Sequence, residues 1–123
     1  TTYYTQAAMS GLILQIGFTY TDNNRPKLNT FVDMMSLSKY LVQQNTVEQF
    51  ATYADKNGLK RRNLMIRKSH KLLEKFINSR IIYNIMDDQA WTAYINLDDP
   101  TIEKALSVFK NNEAFPKKPS IKK

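Results

Sequence analysis

The stretch Asn63–Met86, NLMIRKSHKLLEKFINSRIIYNIM, decides the fold predicted for this chain. It contains no glycine or proline, and its apolar side chains recur at the three-and-four spacing of a helix buried along one broad side: Met65, Ile66, Leu72, Leu73, Phe76, Ile77, Ile81 and Tyr83. At about 1.5 Å per residue this helix would be roughly 35 Å long, close to the diameter of a small domain. We therefore expect a long central helix at about residues 63–86, with shorter helices packed around it.

A second apolar helical pattern lies near the start of the chain, over Tyr3–Tyr20. Gly11 and Gly17 weaken that helix by about 1 kcal/mol each relative to alanine, and glycines in a helix usually indicate close packing. The cluster Asp22–Pro26 is expected to end the helix, because proline lacks the N–H that would continue it.

Further helices are predicted from their start and stop signals. Ser36 is expected to cap a brief helix, and Thr46–Gln49 has the pattern of a capping box, whose helix stops at Asn57-Gly58. Asp87-Asp88 offers the cap of the next helix, and Asp99-Pro100 places a cap directly before a proline suited to the first helical position. No stretch alternates polar and apolar residues as a strand would, so the predicted fold is all-α, with five to six helices.

Length and composition predict a single domain. The chain has 123 residues, of which 42% are hydrophobic, so residues 1–115 can bury a core, and the basic, proline-punctuated residues 116–123 are expected to form a flexible tail. Without cysteine and with His70 as the one histidine, neither a thiolate metal site nor the usual zinc patterns can form, and no cofactor is predicted. No apolar run reaches the roughly 18 residues of a membrane span. Because the chain begins at Thr1, we expect it to be a piece of a longer protein.

The net charge of +7 is concentrated in one part of the chain. Between Lys56 and Met86 there are nine basic residues and one acidic residue, whereas Asp87–Phe115 is acidic overall. Such alternation most often reflects internal complementarity or a solvated surface. It also defines a candidate binding surface, here called the basic face: Lys60, Arg61, Arg62, Arg67, Lys68, Lys71 and Lys75. These cations could attract phosphates, although no nucleic-acid-binding motif accompanies them.

Arg80 differs from the other cations because it falls among apolar residues of the central stretch. A guanidinium in that position should be paired with a carboxylate. Asp87, Asp88 and Glu103 are the candidate partners, and we predict a structural ion pair rather than a ligand contact.

Candidate catalytic patterns have simpler explanations. Ser-x-x-Lys, the nucleophile pattern of penicillin-recognising enzymes, begins at Ser36, Ser107 and Ser120, and three occurrences in so short a chain indicate coincidence. The paired carboxylates Asp87-Asp88 and Asp98-Asp99 stand at predicted helix starts, where the helix dipole favours acidic residues. No catalytic residue is therefore assigned.

A family resemblance is carried by several helical segments: Gly11-Leu-Ile-Leu-Gln-Ile-Gly-Phe-Thr-Tyr, Leu37-Ser-Lys-Tyr-Leu, Phe50-Ala-Thr-Tyr-Ala-Asp-Lys-Asn-Gly-Leu-Lys, the stretch from Ser69 onward to Ile77-Asn-Ser-Arg-Ile-Ile, and Asp98-Asp-Pro-Thr-Ile-Glu-Lys-Ala-Leu. Together they resemble the helical region that follows the protease core in C-terminal processing (tail-specific) serine proteases of Bacteroidetes-type bacteria. The resemblance extends from about Tyr4 to Pro116. None of the family's catalytic Ser-Lys machinery can be matched to residues of this chain.

The resemblance implies a non-catalytic accessory domain of an exported serine peptidase, located in the periplasm or at the cell surface. Its partners would be the preceding protease core, a polypeptide substrate or a second copy of the domain. The alternative from another class is a free-standing basic helical module that binds nucleic acid or an acidic protein. The open reading frame distinguishes these two hypotheses. The accessory domain should follow a Ser-Lys protease core in the same reading frame, whereas the free-standing module should be encoded as its own short gene.

Overall fold

Residues 2–97, the part of the chain that the computed structural model describes, are helical and contain no strand. The predicted all-α fold class is therefore confirmed for these residues, with seven helices: α1 (Tyr3–Met9), α2 (Leu12–Leu28), α3 (Met34–Gln43), α4 (Thr46–Lys56), α5 (Asn63–Lys68), α6 (His70–Ile85) and α7 (Asp88–Ile95). The helix predicted from Asp99 and the tail at 116–123 lie outside the described residues.

Helix α6 is the centre around which the other helices pack. It contacts α2, α3, α4, α5 and α7. Its side chains Leu73, Ile77, Ile81 and Ile82 are at most 1% exposed. Each such burial contributes about 1.5–3 kcal/mol, so this part of the predicted spine supplies much of the hydrophobic core.

The predicted single helix at 63–86 is two helices. α5 ends at Lys68, and Ser69, with φ −99° and ψ 10°, leads into α6 at His70. The Ser69 N–H still donates to the carbonyl oxygen of Met65 at 3.0 Å, so the break is a local change of direction. It allows α5 to contact α1 as well as α6 and to bury Ile66. No glycine or proline marks the break, so packing determines its position.

The first predicted helix is also divided. Gly11 adopts a left-handed φ of +81° and forms the start of α2, which ends the predicted continuity of Tyr3–Tyr20. Pro26, by contrast, does not end α2, because the chain accommodates it with a kink at Asn24 (φ −125°, ψ 15°) and continues to Leu28. The Asn24 side-chain nitrogen donates to the carbonyl oxygen of Tyr20 at 2.8 Å and supports the kink.

Two of the predicted helix boundaries are confirmed. The Asp87 carboxylate accepts a hydrogen bond from the N–H of Ala90 at 2.8 Å and caps α7. At the end of α4, Gly58 has φ +100° and the N–H of Leu59 donates to the carbonyl oxygen of Ala54 at 2.9 Å. That bond is the six-to-one link of a Schellman motif, as expected for Asn57-Gly58.

Two predicted caps are wrong. Asp33 caps α3, where its carboxylate accepts from the N–H of Ser36 at 2.8 Å, so Ser36 is inside the helix. Asn45, in the left-handed region at φ 55°, precedes α4 without a side-chain cap. The Thr46 hydroxyl instead donates to Asn78 Oδ1 in the interior at 2.7 Å. A buried partner on another helix has replaced the local capping box.

Helices α2 and α6 approach each other closely at Gly17. A Cβ placed on Gly17 would lie 3.0 Å from Arg80 Cβ, so the absence of a side chain is what permits the contact. One turn further along both helices, Asn84 Nδ2 donates to Thr21 Oγ1 at 3.3 Å. The close packing predicted for this glycine is confirmed, and it fixes the position of Arg80.

Candidate functional site

The basic face divides into an exposed part and two anchored residues. The side chains of Lys60, Arg62, Arg67, Lys68 and Lys71 are exposed, whereas those of Arg61 and Lys75 are partly buried. Within residues 2–97 the two ion pairs join other residues, so none of the five exposed cations is neutralised there. These five belong to the loop after α4, to α5 and to the first turn of α6, which the break at Ser69 joins.

Arg61 holds the loop after α4 in place. Its Nη2 donates to Glu48 Oε1 at 2.6 Å, its Nε donates to Asn63 Oδ1 at 2.7 Å, and its backbone N–H donates to Asp55 Oδ1 at 3.0 Å. The hydrogen bond from Arg61 holds the pKa of the Glu48 carboxyl below its ordinary value. Arg61 therefore positions the loop that carries part of the basic face, and its charge is paired with Glu48 within the domain.

Lys75 is directed toward α7 and contributes to the packing of that helix. Its Nζ donates to the carbonyl oxygen of Leu97 at 3.1 Å and lies 4.2 Å from the centroid of the Tyr94 ring. A lysine over an aromatic face is stabilised by the ring quadrupole, more strongly where both are desolvated. Lys75 consequently links the central helix to the end of the described chain.

An apolar side chain stands among the exposed cations. Leu64 on α5 is 60% exposed and precedes Arg67 and Lys68 by three and four residues, which puts all three on the same side of the helix. Leu64 is not among the binding residues predicted from the sequence, and it falls on the polar side of the helical pattern. Single exposed apolar side chains are common on protein surfaces, so Leu64 is a candidate contact because of the exposed cations Arg67 and Lys68 beside it.

The predicted ion pair of Arg80 is not formed with either aspartate that the structure describes. Asp87 uses its carboxylate to cap α7, and among residues 2–97 no carboxylate lies within ion-pair distance of Arg80. The Arg80 guanidinium carbon instead lies 4.9 Å from the centroid of the Tyr83 ring. Asp88 is in the first turn of α7, where it complements the helix dipole, and Glu103 lies outside the described residues.

The residues considered for catalysis are not brought together. Ser36 is an exposed residue in the first turn of α3, and His70 is the first residue of α6. Ser107, Ser120 and the Asp98-Asp99 pair lie outside the described residues. Over residues 2–97 no cluster of histidine, cysteine and carboxylate side chains is arranged to hold a metal ion, and no helix is long and apolar enough to cross a membrane.

Comparison with known proteins identifies a family. Residues 3–87, which include α1 to α6, match a family of unknown function (DUF8443). The chain belongs to this family. No curated protein and no solved structure matches the chain. The family region includes the exposed part of the basic face, Leu64 and the close contact between Gly17 and Arg80, so these features fall within the shared domain rather than in the residues that follow it.

Proposed function

We propose that this domain is a non-catalytic docking module that binds an acidic surface of a protein through the exposed part of its basic face. The resemblance to the helical region of C-terminal processing serine proteases makes a preceding protease core in the same polypeptide the first partner to test. A polypeptide substrate and a second copy of the domain are the other candidates. In this proposal the parent protein cleaves exported polypeptides in the periplasm or at the cell surface, and the docking module supplies no catalytic group.

Leu64 is the observation that favours a protein partner. Burying apolar surface contributes about 25 cal/mol per Å², so an exposed leucine gives a protein interface an anchor that solvent cannot replace. The cations around it would act differently, since charged residues at the rim of an interface mainly speed association and select the partner. A leucine with a cationic rim therefore fits an acidic protein surface that contains an apolar depression.

Nucleic acid is the second candidate, and the uncompensated charge is the observation that favours it. Phosphate contacts require only cations, and the five exposed lysines and arginines of the basic face could make them. Binding of this kind weakens steeply with salt because each phosphate contact releases counterions. It would not depend on Leu64, which separates the two candidates.

The open reading frame provides the first test. If it encodes a Ser-Lys protease core ahead of this domain, that core is produced separately and its binding to the domain is measured by calorimetry. Leu64→Ser should weaken binding by about fivefold or more, the size expected for an anchor residue. Lys68→Glu should weaken it and reduce its dependence on salt, whereas the matched control Lys39→Glu, on exposed α3 surface, should leave it unchanged.

Two results would overturn the docking proposal. A reading frame without a protease core, together with no self-association of the domain and no binding of an unfolded polypeptide in calorimetry, would remove all three proposed partners. Tight binding of a 20-base-pair DNA duplex that is lost in Lys68→Glu but retained in Leu64→Ser would replace the protein partner with nucleic acid.

A further inference from the structure

Arg80 is a partly buried cation without an anionic partner among residues 2–97. Its Nε is buried and has no hydrogen-bond partner, although an arginine normally pairs its buried donors. Burial also lowers the pKa of Arg80. An unpaired charge in such a place is costly, and a carboxylate that reached the guanidinium would remove much of that cost.

The position of Arg80 is fixed from two sides. Its Cβ fits against Gly17 on α2, where an added Cβ would come within 3.0 Å. Its guanidinium carbon lies 4.9 Å from the Tyr83 ring centroid on its own helix. The side chain is thus held at the crossing of two helices before any ligand arrives, which reduces the ordering cost of binding.

Exposed apolar side chains flank the same crossing. Leu14 and Phe18 on α2 are 46% and 57% exposed. At about 100° per residue, they lie about 60° and 100° around the helix from Gly17 on one side, whereas the buried Ile13, Ile16 and Tyr20 lie on the other.

The orientation of α6 puts Arg80 on this outer side. Gly17 meets Arg80 and, four residues later on both helices, Thr21 meets Asn84, so α2 and α6 run in the same direction here. On α6 the buried Ile77 and Ile81 lie on the core side of Arg80, and Tyr83 lies on the opposite side. Leu14, Phe18 and Arg80 therefore border the same outer side of the α2–α6 crossing, and the Tyr83 ring on that side packs edge-to-face on Trp91 of α7, with 6.4 Å between the ring centroids.

We propose that Arg80, Leu14 and Phe18 form a second binding site, which receives a polypeptide carboxylate that stands beside an apolar side chain. The planar guanidinium suits a carboxylate because it can donate two parallel hydrogen bonds. Leu14 and Phe18 would cover the apolar neighbour. The site goes beyond the proposed docking through the basic face, since Arg80 is nine residues, or about 14 Å, along α6 from Lys71.

The experiment uses two probes that differ only at the terminal group, N-acetylleucine with a carboxylate and N-acetylleucinamide with a neutral amide. Each is titrated into the ¹⁵N-labelled chain at constant ionic strength, and the Arg80 Nε–H and Gly17 N–H resonances are followed by NMR. N-acetylleucine should shift both resonances to saturation in the millimolar range, and the amide should not. Equal shifts with both probes, or linear shifts without saturation, would overturn the proposal.

Variants separate this site from the basic face. Arg80→Met should abolish the saturable shift of the Gly17 N–H, and Phe18→Ser, on exposed surface that does not threaten folding, should weaken N-acetylleucine binding severalfold. Lys68→Met should leave N-acetylleucine binding unchanged. The experiment can therefore contradict the Arg80 site without contradicting the proposed docking through the basic face. An affinity for N-acetylleucine that is unchanged in Phe18→Ser would contradict the proposed site. The proposal would also be contradicted if the wild-type chain showed no shift because one of its own carboxylates already occupies Arg80.

Discussion

The Thr46 hydroxyl donates a hydrogen bond to Asn78 Oδ1 across 2.7 Å in the interior, which joins the start of α4 to the middle of the central helix α6. Thr46 is 2% exposed and Asn78 is fully buried, so no solvent can replace either partner. The bond connects residues that are 32 positions apart in the chain. The Thr46–Asn78 hydrogen bond therefore depends on how α4 and α6 pack together and not on the formation of either helix.

Thr46→Val keeps the shape of the side chain and removes the hydroxyl. The Asn78 oxygen would be left buried without a donor, and we expect the free energy of unfolding to fall by about 1–3 kcal/mol in urea denaturation. As a control, Thr46→Val combined with Asn78→Leu should cost less than the sum of the single changes, because the two residues interact. A single variant as stable as the parent would contradict the importance of the bond.

Gly17→Ala should destabilise the domain, although alanine is the better helix former. The gain in helix propensity is about 1 kcal/mol, whereas overpacking against Arg80 Cβ at 3.0 Å costs about 1–3 kcal/mol. Thermal unfolding monitored by circular dichroism measures the balance, and Gly17→Val should lower the midpoint further. A rise in the midpoint for Gly17→Ala would mean that α2 and α6 are not in close contact there.

Arg80→Met should leave stability unchanged or raise it by about 1 kcal/mol. Methionine fills a similar volume without a partly buried charge, and no described carboxylate loses a partner. This expectation reverses the one that follows from a buried ion pair, for which removal of the arginine would be strongly destabilising. Urea unfolding of Arg80→Met beside Lys68→Met decides between them, and a loss of several kcal/mol in Arg80→Met alone would contradict the expectation stated here.

Stability should decrease in acid partly through Glu48. Its carboxyl has a pKa below the ordinary value of 4.5 because Arg61 donates to it. A lowered folded-state pKa gives a contribution that is complete above the unfolded pKa and is lost as the pH falls from there through the folded pKa. Urea unfolding between pH 7 and pH 3 should therefore show a shallower decline in Glu48→Gln than in the parent chain. Parallel curves would show that the Arg61 contact has no effect on folding.

Local sequence signals determined the helical class and several helix ends. The three-and-four spacing in Asn63–Met86 correctly predicts that Leu73, Ile77 and Ile81 are buried on α6, because any helix of that sequence aligns those side chains. Asn78, Ser79 and Ile82 are also buried and were not predicted. Asp87 and Gly58 act through atoms of their own or adjacent turns, so they cap and stop helices as predicted. Five of the seven cations of the basic face are exposed, as expected of charge that is excluded from the core, whereas Arg61 and Lys75 are partly buried by contacts within the domain.

Tertiary structure decided the features that depend on distant residues. The break at Ser69 allows α5 to pack on α1. The Thr46 hydroxyl donates to the buried Asn78 Oδ1 instead of capping α4 as predicted. Arg80 contacts Gly17 and Tyr83 rather than Asp87, because the Asp87 carboxylate caps α7. The sequence by itself determined the helical class and most of the helical segments, because helix preference and apolar spacing are local properties. Which helix each side chain meets was decided only when the helices packed together, because those contacts join residues far apart in the chain.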